Sequence, residues 1–353
     1  MRAATFTEFG EPLDVRDVEA PDPDPDGVVV EVEACGICRS DWHAWIGDWV
    51  VRDVDPDPGH VFGHEPAGRV IAVGDEVENV REGDHVAIPF NLGDGTCHLC
   101  RNGHSNVCEN YLGLGIAEEA QGAWAEAVHV PWADHNIVHL PDGVSSVDMA
   151  GLGCRFMTSF HALAHRADLG AGDWLAVQGC GGIGLSAVHI GEALGANVIA
   201  VDLTDEKLDI AEDLGAVERV NASAVGDVPD EIGAITGGGA DISIDALGIA
   251  ATCRNSVKCL RANGQHIQIG MTTKEENGEI TLPTDDMVVN QIEFIGSFGM
   301  QPPRYDEIFR MVDQGQIDPS LVVSERVSLE GISAKLEAMT DFGTIGIPVV
   351  DEF

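Results

Sequence analysis

Positive charge is what this sequence has least of. Lysine occurs only at Lys207, Lys258, Lys274 and Lys335, and Lys plus Arg total 19 against 60 Asp plus Glu, for a formal net charge of −41 over 353 residues. Such a surface repels phosphates, which excludes a nucleic-acid binder, whose basic footprint would attract them. Long hydrophobic runs are missing too. No stretch approaches the roughly 20 apolar residues that span a bilayer, and the N-terminal MRAATFTEFGEP has no basic segment followed by an apolar one. No membrane role is therefore expected, and a cytoplasmic location is. Hydrophobic residues nevertheless make up 44% of the chain, so a substantial core can form and the acidity belongs to a folded surface rather than a disordered tail. The length allows about two domains.

The charge excess resembles that of a haloarchaeal proteome. Carboxylates stay hydrated in molar salt, where the Debye length falls to about 3 Å and like-charge repulsion is screened. In dilute buffer that repulsion is expected to return and destabilise the fold.

Nine cysteines is an odd number for a chain without a secretion signal. Cys35 and Cys38 lie close together, as do Cys97, Cys100 and Cys108, a spacing that metal thiolates explain better than disulfides.

The first half reads as β-rich: VVVEVEAC (28–35), GRVIAVG (68–74) and DHVAIPF (84–90) are short apolar or alternating runs separated by Gly, Pro and acidic turns. Little there looks helical, and PDPDPD (21–26) reads as a surface turn. From about residue 155 the strands WLAVQG, NVIAVD, DISIDALG and HIQIG alternate with helix-like segments such as LSAVHIGEALG and DEKLDIAEDLG. That alternation predicts an α/β unit with a parallel sheet covered on both faces. After about residue 290 the pattern is mixed again, ending on the strand-like IPVVDEF.

GCGGIG (179–184) follows an apolar strand and opens an amphipathic helix. Glycines Gly179, Gly181, Gly182 and Gly184 suit such a turn, where the backbone bends tightly, a pyrophosphate approaches the helix N-terminus, and helix packs on strand. Asp202 ends the next strand, where a carboxylate can accept both ribose hydroxyls and repel a 2′-phosphate. NAD is thus preferred, with NADP left open; Lys207, one helical turn on, can also reach the ribose.

CGICRSDWH (35–43) and GHVFGHEPAG (59–68) offer soft and borderline ligands without the paired C-x-x-C spacing of a closed structural finger. An open site, with one ligand from each of three segments, fits a catalytic zinc. Together with GHEPAGRVIAVGDEVENVREGDHVAIPF, GLGCRFMTSFHAL and GCGGIG in this order, the chain resembles a zinc-dependent alcohol dehydrogenase of the medium-chain dehydrogenase/reductase family over essentially its whole length.

That resemblance implies Cys38, His64 and Cys154 as catalytic zinc ligands, with Glu65 beside the metal, Asp41 orienting the His64 ring, and Cys35 a bystander. It implies a relay that starts at Ser40 and ends at His43, Arg39 against the cofactor pyrophosphate, Thr158 beside the nicotinamide, and Phe90 lining a water-poor pocket. Trp45 and Trp49 are further pocket candidates, although tryptophan in such a loop is as often a packing anchor. Asp94, Cys97, Cys100 and Cys108 occupy the spacing of the family's four-cysteine structural zinc, with Asp94 in place of the first thiolate. The family's C-terminal arginine is absent, and Ile347 stands in its place.

The architecture implied is a GroES-like, β-rich catalytic domain (1–154), a Rossmann doubly wound NAD-binding domain (155–290), and a C-terminal return to the first (291–353). The implied activity is hydride transfer between a primary or secondary alcohol and NAD, giving aldehyde or ketone. A polyol, sugar or amino-alcohol dehydrogenase on the same scaffold is the alternative, and a zinc-free quinone or enoyl reductase is disfavoured by the ligands present. The chain length resembles the tetrameric branch, so a homo-tetramer, or failing that a dimer, is expected.

Overall fold

The run VVVEVEAC becomes the strand Val28–Gly36, and most of the first half is arranged around it. In the computed structural model, which describes residues 1–340 and 343–353, Glu65–Val73 pairs along one edge of this strand. The other edge is shared between Ala127–Val130 at its start and Ile347–Glu352 at its end. Val28, Val30 and Val32 are buried on the face that meets the core, while on the other face Val29 is buried, Glu31 is exposed and Glu33 is half-buried. Their core partners include Phe62, Trp124 and Val128. The full sheet has seven strands; Val323–Ser328 and Val138–His139 stand at the two ends of its strand order. Because Ile347–Glu352 joins this sheet, the first unit comprises residues 1–157, 299–314 and 318–353.

The second unit, residues 158–298 and 315–317, is a six-stranded parallel sheet. Its order is Glu218–Asn221, Asn197–Asp202, Trp174–Gln178, Ala240–Asp245, Leu260–Gln268, Glu293–Gly296. The first of these strands in sequence lies in the middle, so the winding reverses between Trp174–Gln178 and Ala240–Asp245. Crevices at the carboxyl ends of strands at such a reversal are where doubly wound sheets bind ligands. The unit runs on to Phe298 rather than stopping at 290, because Glu293–Gly296 adds a sixth strand against Leu260–Gln268.

Helices also occur in the first half, contrary to the sequence expectation. Arg39–Trp45 and Ser146–Gly151 are seven and six residues long, too short to show a clear 3.6-residue period. Capping signals mark them instead: the Asp41 carboxylate accepts from the Cys38 N–H, and Ser145 and Asp148 form a reciprocal box. Among the described residues, no helix is long and apolar enough to cross a membrane.

A chain of buried polar groups crosses the second sheet. Gln268 Nε2 donates to Asp245 and to the Gly270 carbonyl, which leaves its Oε1 to accept from His266 Nε2–H at 3.0 Å. His266 Nδ1 then accepts from Ser256 Oγ at 2.7 Å, and Ser243 lies 2.7 Å further on. This assignment keeps the imidazole neutral, and burial pushes its pKa down to about 4.

The unfolded imidazole takes up a proton near pH 6.5, whereas the buried one resists to about 4. Its contribution to stability is therefore complete above 6.5 and is lost as the pH falls from 6.5 to 4, by about 3 kcal/mol. Chemical unfolding of wild type and His266→Asn in the same molar salt tests this. The stability difference between them is expected to shift against wild type by that order between pH 7 and pH 4, and a pH-independent difference would rule it out.

Candidate active site

Three separate segments of the first unit deliver one cluster. The turn after Val28–Gly36 places Cys38, the strand Glu65–Val73 and the residue before it place Glu65 and His64, and the helix Cys154–His161 opens with Cys154. All four are buried, and their ligand atoms lie within 4.8 Å of one another.

His64 is held by its Nδ1, which donates to Asp41 Oδ1 at 2.8 Å. Asp41 is itself fixed by the Cys38 N–H at 2.8 Å and the Gly63 N–H at 3.2 Å. This leaves His64 Nε2 buried with no hydrogen-bond partner among the described residues. An orphaned imidazole nitrogen within 4.8 Å of two thiols fits the donor set of a catalytic zinc, with the carboxylate behind it setting the ring's tautomer.

The electrostatics point the same way. Contact with the Cys154 thiol holds Cys38 well below the usual thiol range in spite of burial, with Arg155 and His64 assisting. Cys154 moves up correspondingly, through that same contact and then through burial. For His64, burial opposes the charged ring, but Asp41 and the Cys38 sulfur outweigh it and the imidazole is raised well above its ordinary value. One thiol proton and a strongly basic nitrogen thus share a space that a divalent cation fills better.

Around the cluster, Ser40 Oγ lies 3.8 Å from Cys38 Sγ. The Phe90 ring meets the His64 ring edge-on, centroids 5.8 Å apart. His43 Nδ1 is paired with the buried Asp48 carboxylate at 2.8 Å, and its ring stacks on Trp49 at 5.1 Å. Trp45 instead packs into the core, its indole N–H donating to the Glu11 carbonyl, so it anchors the helix rather than lining a pocket. Arg39 donates to the Met339 carbonyl and lies over the Trp42 ring. Cys35 is fully buried, its thiol pushed up by burial. Ile347 is a core residue packed with Ala34, Ala150, Val322 and Val349.

Asp94, Cys97, Cys100 and Cys108 form a second group whose ligand atoms also lie within 4.8 Å of one another. Backbone N–H groups of Asp94, Cys100 and Asn110 point at its sulfurs. Hydrogen bonds from Asn110, Cys97 and Thr96 hold the Asp94 carboxyl far below the usual range, so it stays anionic and could serve as an oxygen ligand. Three sulfurs and one such oxygen fit a closed zinc site.

In the second unit, Gly179 adopts φ +94° directly after the strand Trp174–Gln178. The helix Gly182–Ala193 starts there with Gly181 as an N-cap that offers no side-chain acceptor. A Cβ on Gly184 would overlap the Gly179 carbonyl, whereas one on Gly181 would meet nothing. The first glycine thus lets helix and strand close, and the other leaves room for a phosphate over N–H groups that nothing caps. Asp202 does more than await a ribose: it accepts from the Cys180 N–H at 2.8 Å and the Leu203 N–H at 2.7 Å, tying the glycine turn to the next strand. Lys207 is half-buried on the helix Asp205–Asp213. Thr158 Oγ1 is buried with no partner among the described residues.

Three functional residues escaped the sequence reading. Asp48 and Arg155 pair with His43 and Glu65, and Asp245 accepts from the Leu247 and Gly248 N–H groups at the sheet's reversal point. Only for Arg155 was there a sequence signal, its place directly after a ligand cysteine.

Residues 24–142 match the family described as alcohol dehydrogenase GroES-like domain, and residues 182–314 match the zinc-binding dehydrogenase family. The chain is 31% identical to an alcohol dehydrogenase of Geobacillus stearothermophilus, covering 96% of this chain and 95% of that one. It is 32% identical to an NAD-dependent alcohol dehydrogenase of Sulfurisphaera tokodaii, covering 99% of both. Among solved structures, the alcohol dehydrogenase of the archaeon Aeropyrum pernix superposes with a TM-score of 0.88 at 29% identity, covering 99% of this chain and 100% of that one.

Asp41→Ala removes the acceptor that orients His64. It is expected to weaken zinc at this site 10- to 100-fold in competition with a chromophoric chelator, and unchanged affinity would show that Asp41 does not support the ligand.

Proposed function

We propose that this chain, which belongs to the zinc-dependent alcohol dehydrogenases of the medium-chain dehydrogenase/reductase family, interconverts primary or secondary alcohols with aldehydes or ketones, using NAD. The observation that carries this reading is the unpartnered, buried His64 Nε2 facing Cys38 and Cys154.

When bound, zinc supplies a Lewis acid toward the alcohol oxygen and NAD supplies the hydride acceptor. Cys38, His64 and Cys154 hold the metal, and Asp41 keeps the His64 Nε2 lone pair pointed at it. Phe90 contributes an apolar wall beside the ligands, which disfavours water there. Ser40 Oγ, next to Cys38, accepts the substrate hydroxyl proton while giving up its own to a relay that ends at His43 Nε2 and solvent. Asp48 holds His43 with its proton on Nδ1, so that Nε2 is the free base. The uncapped turn after Gly181 receives the pyrophosphate. Asp202 takes the ribose hydroxyls on its remaining lone pairs and favours NAD over a 2′-phosphorylated cofactor. Asp94, Cys97, Cys100 and Cys108 hold a second, structural zinc.

The setting is a salt-rich cytoplasm. A net charge of −41 suits molar salt, and nine free cysteines suit a reducing compartment. The assembly is a homo-tetramer built from dimers. Its support is the edge strand Glu293–Gly296, whose outer backbone has no sheet neighbour among the described residues, flanked by exposed Phe294, Val288 and Val289. A twofold copy can extend the sheet there and cover those side chains.

Elemental analysis of protein purified in about molar KCl, a concentration at which surface charge is screened, should find two zinc ions per chain, with NAD reduction on simple alcohols. No zinc and no turnover in folded, NAD-binding protein would sink the proposal. Light scattering is expected to show a tetramer in that salt and dissociation in dilute buffer, with Val289→Lys weakening association; a monomer under all conditions would exclude the edge-strand interface.

A further inference from the structure

The catalytic cluster has one ligand too many. An open zinc site needs three protein ligands and a free fourth position, yet the Glu65 carboxylate stands among the same atoms as Cys38, His64 and Cys154. Glu65 is 2% exposed, so it has no water to turn to. It also has little room: a Cβ on Gly36 would overlap its Oε2, and one on Gly153 would come within 2.7 Å of its Cβ. The carboxylate therefore has two partners in reach, the metal position and Arg155.

Arg155 follows Cys154 directly and is 4% exposed. Its Nη2 donates to Glu65 Oε2 at 2.6 Å, and its Nε and backbone N–H both donate to Oε1 at 3.3 Å. The two side chains thus meet in the bidentate geometry that a guanidinium offers and an ammonium does not. Charge counts the same way. Two thiolates and Glu65 carry three negative charges, which a divalent metal and one guanidinium would balance, while the fourth buried acid, Asp41, is met by the His64 Nδ1–H and two backbone N–H groups. Without the guanidinium, an anionic Glu65 in this dry space has only the metal to turn to.

We propose that Arg155 is a positioning residue that holds Glu65 off the metal and so keeps the fourth coordination position open for substrate. This rests on the zinc site proposed above. Arg155→Met lets Glu65 close the site, giving four protein ligands in place of three.

The test uses the full-length protein with cobalt(II) in place of the catalytic zinc and imidazole as the probe for the open position. Wild type is expected to bind imidazole with a change in its visible spectrum. Arg155→Met is expected to bind it at least tenfold more weakly, with an altered spectrum before imidazole is added, and Glu65→Gln/Arg155→Met is expected to recover wild-type binding. Zinc loss to a chelator discriminates further. The closed Arg155→Met site should release zinc more slowly than wild type, whereas a merely structural role for the ion pair would make release faster. Equal imidazole binding, or faster zinc release from Arg155→Met that Glu65→Gln does not reverse, would overturn the proposal. If Arg155→Met does not fold, Arg155→Lys keeps the charge without the bidentate grip; severalfold weaker imidazole binding, restored by Glu65→Gln, is then expected, and wild-type binding would overturn it. A wild-type chain that binds no metal at Cys38, His64 and Cys154 would instead refute the zinc site itself.

Discussion

Four acidic groups, Cys38, Asp41, Glu65 and Cys154, are buried together in the first unit, and uncompensated charge is the costliest thing a protein interior can hold. Each is answered by a specific neighbour. Asp41 has His64 and two backbone N–H groups, Glu65 has Arg155, and the two thiols share a proton that a metal ion would displace. The surrounding elements bring these partners together: the strands Val28–Gly36 and Glu65–Val73 lie side by side with Gly36 opposite Glu65, and Gly36 and Gly153 leave just enough room for that carboxylate. A site assembled from three distant segments in this way couples metal binding to folding of the unit.

The acidic surface and the acidic site are governed by different media. Surface carboxylates face solvent, where dissolved salt screens them, whereas buried pairs are screened much less. Salt therefore acts on the repulsion across the surface, and far less on the arrangement of charges around Glu65 and His64. An extreme composition can in this way coexist with a site whose chemistry is indifferent to it.

In the second unit, carboxylates at strand ends do structural work beside any ligand contact. Asp202 ties the glycine turn to the neighbouring strand, and Asp245 gathers N–H groups, Thr252 and Gln268 at the reversal point. The loops facing a bound dinucleotide are thus fixed by hydrogen bonds in advance, which lowers the ordering cost of binding.

Much of this was legible in the residues. Alternating apolar strands and amphipathic helices after residue 155 announced a parallel sheet, because burial on both faces leaves that pattern. GCGGIG with Asp202 marked the dinucleotide turn, because only glycine tolerates those close approaches. The family resemblance implied Cys38, His64 and Cys154, and the Asp94 group, as candidate metal ligands, and the structure gathers each set within 4.8 Å. What could not be read were the partners: Asp48 for His43 and Arg155 for Glu65. Those pairings depend on which side chains the fold turns towards each other across five to ninety positions of sequence, and no local pattern encodes that. Composition, periodicity and ligand type were determined by the sequence itself, because each acts through single residues or near neighbours. Which charge answers which, and so whether the metal position stays open, was decided only by the tertiary structure, because a buried charge is stabilised by whatever lies within a few ångströms of it in space.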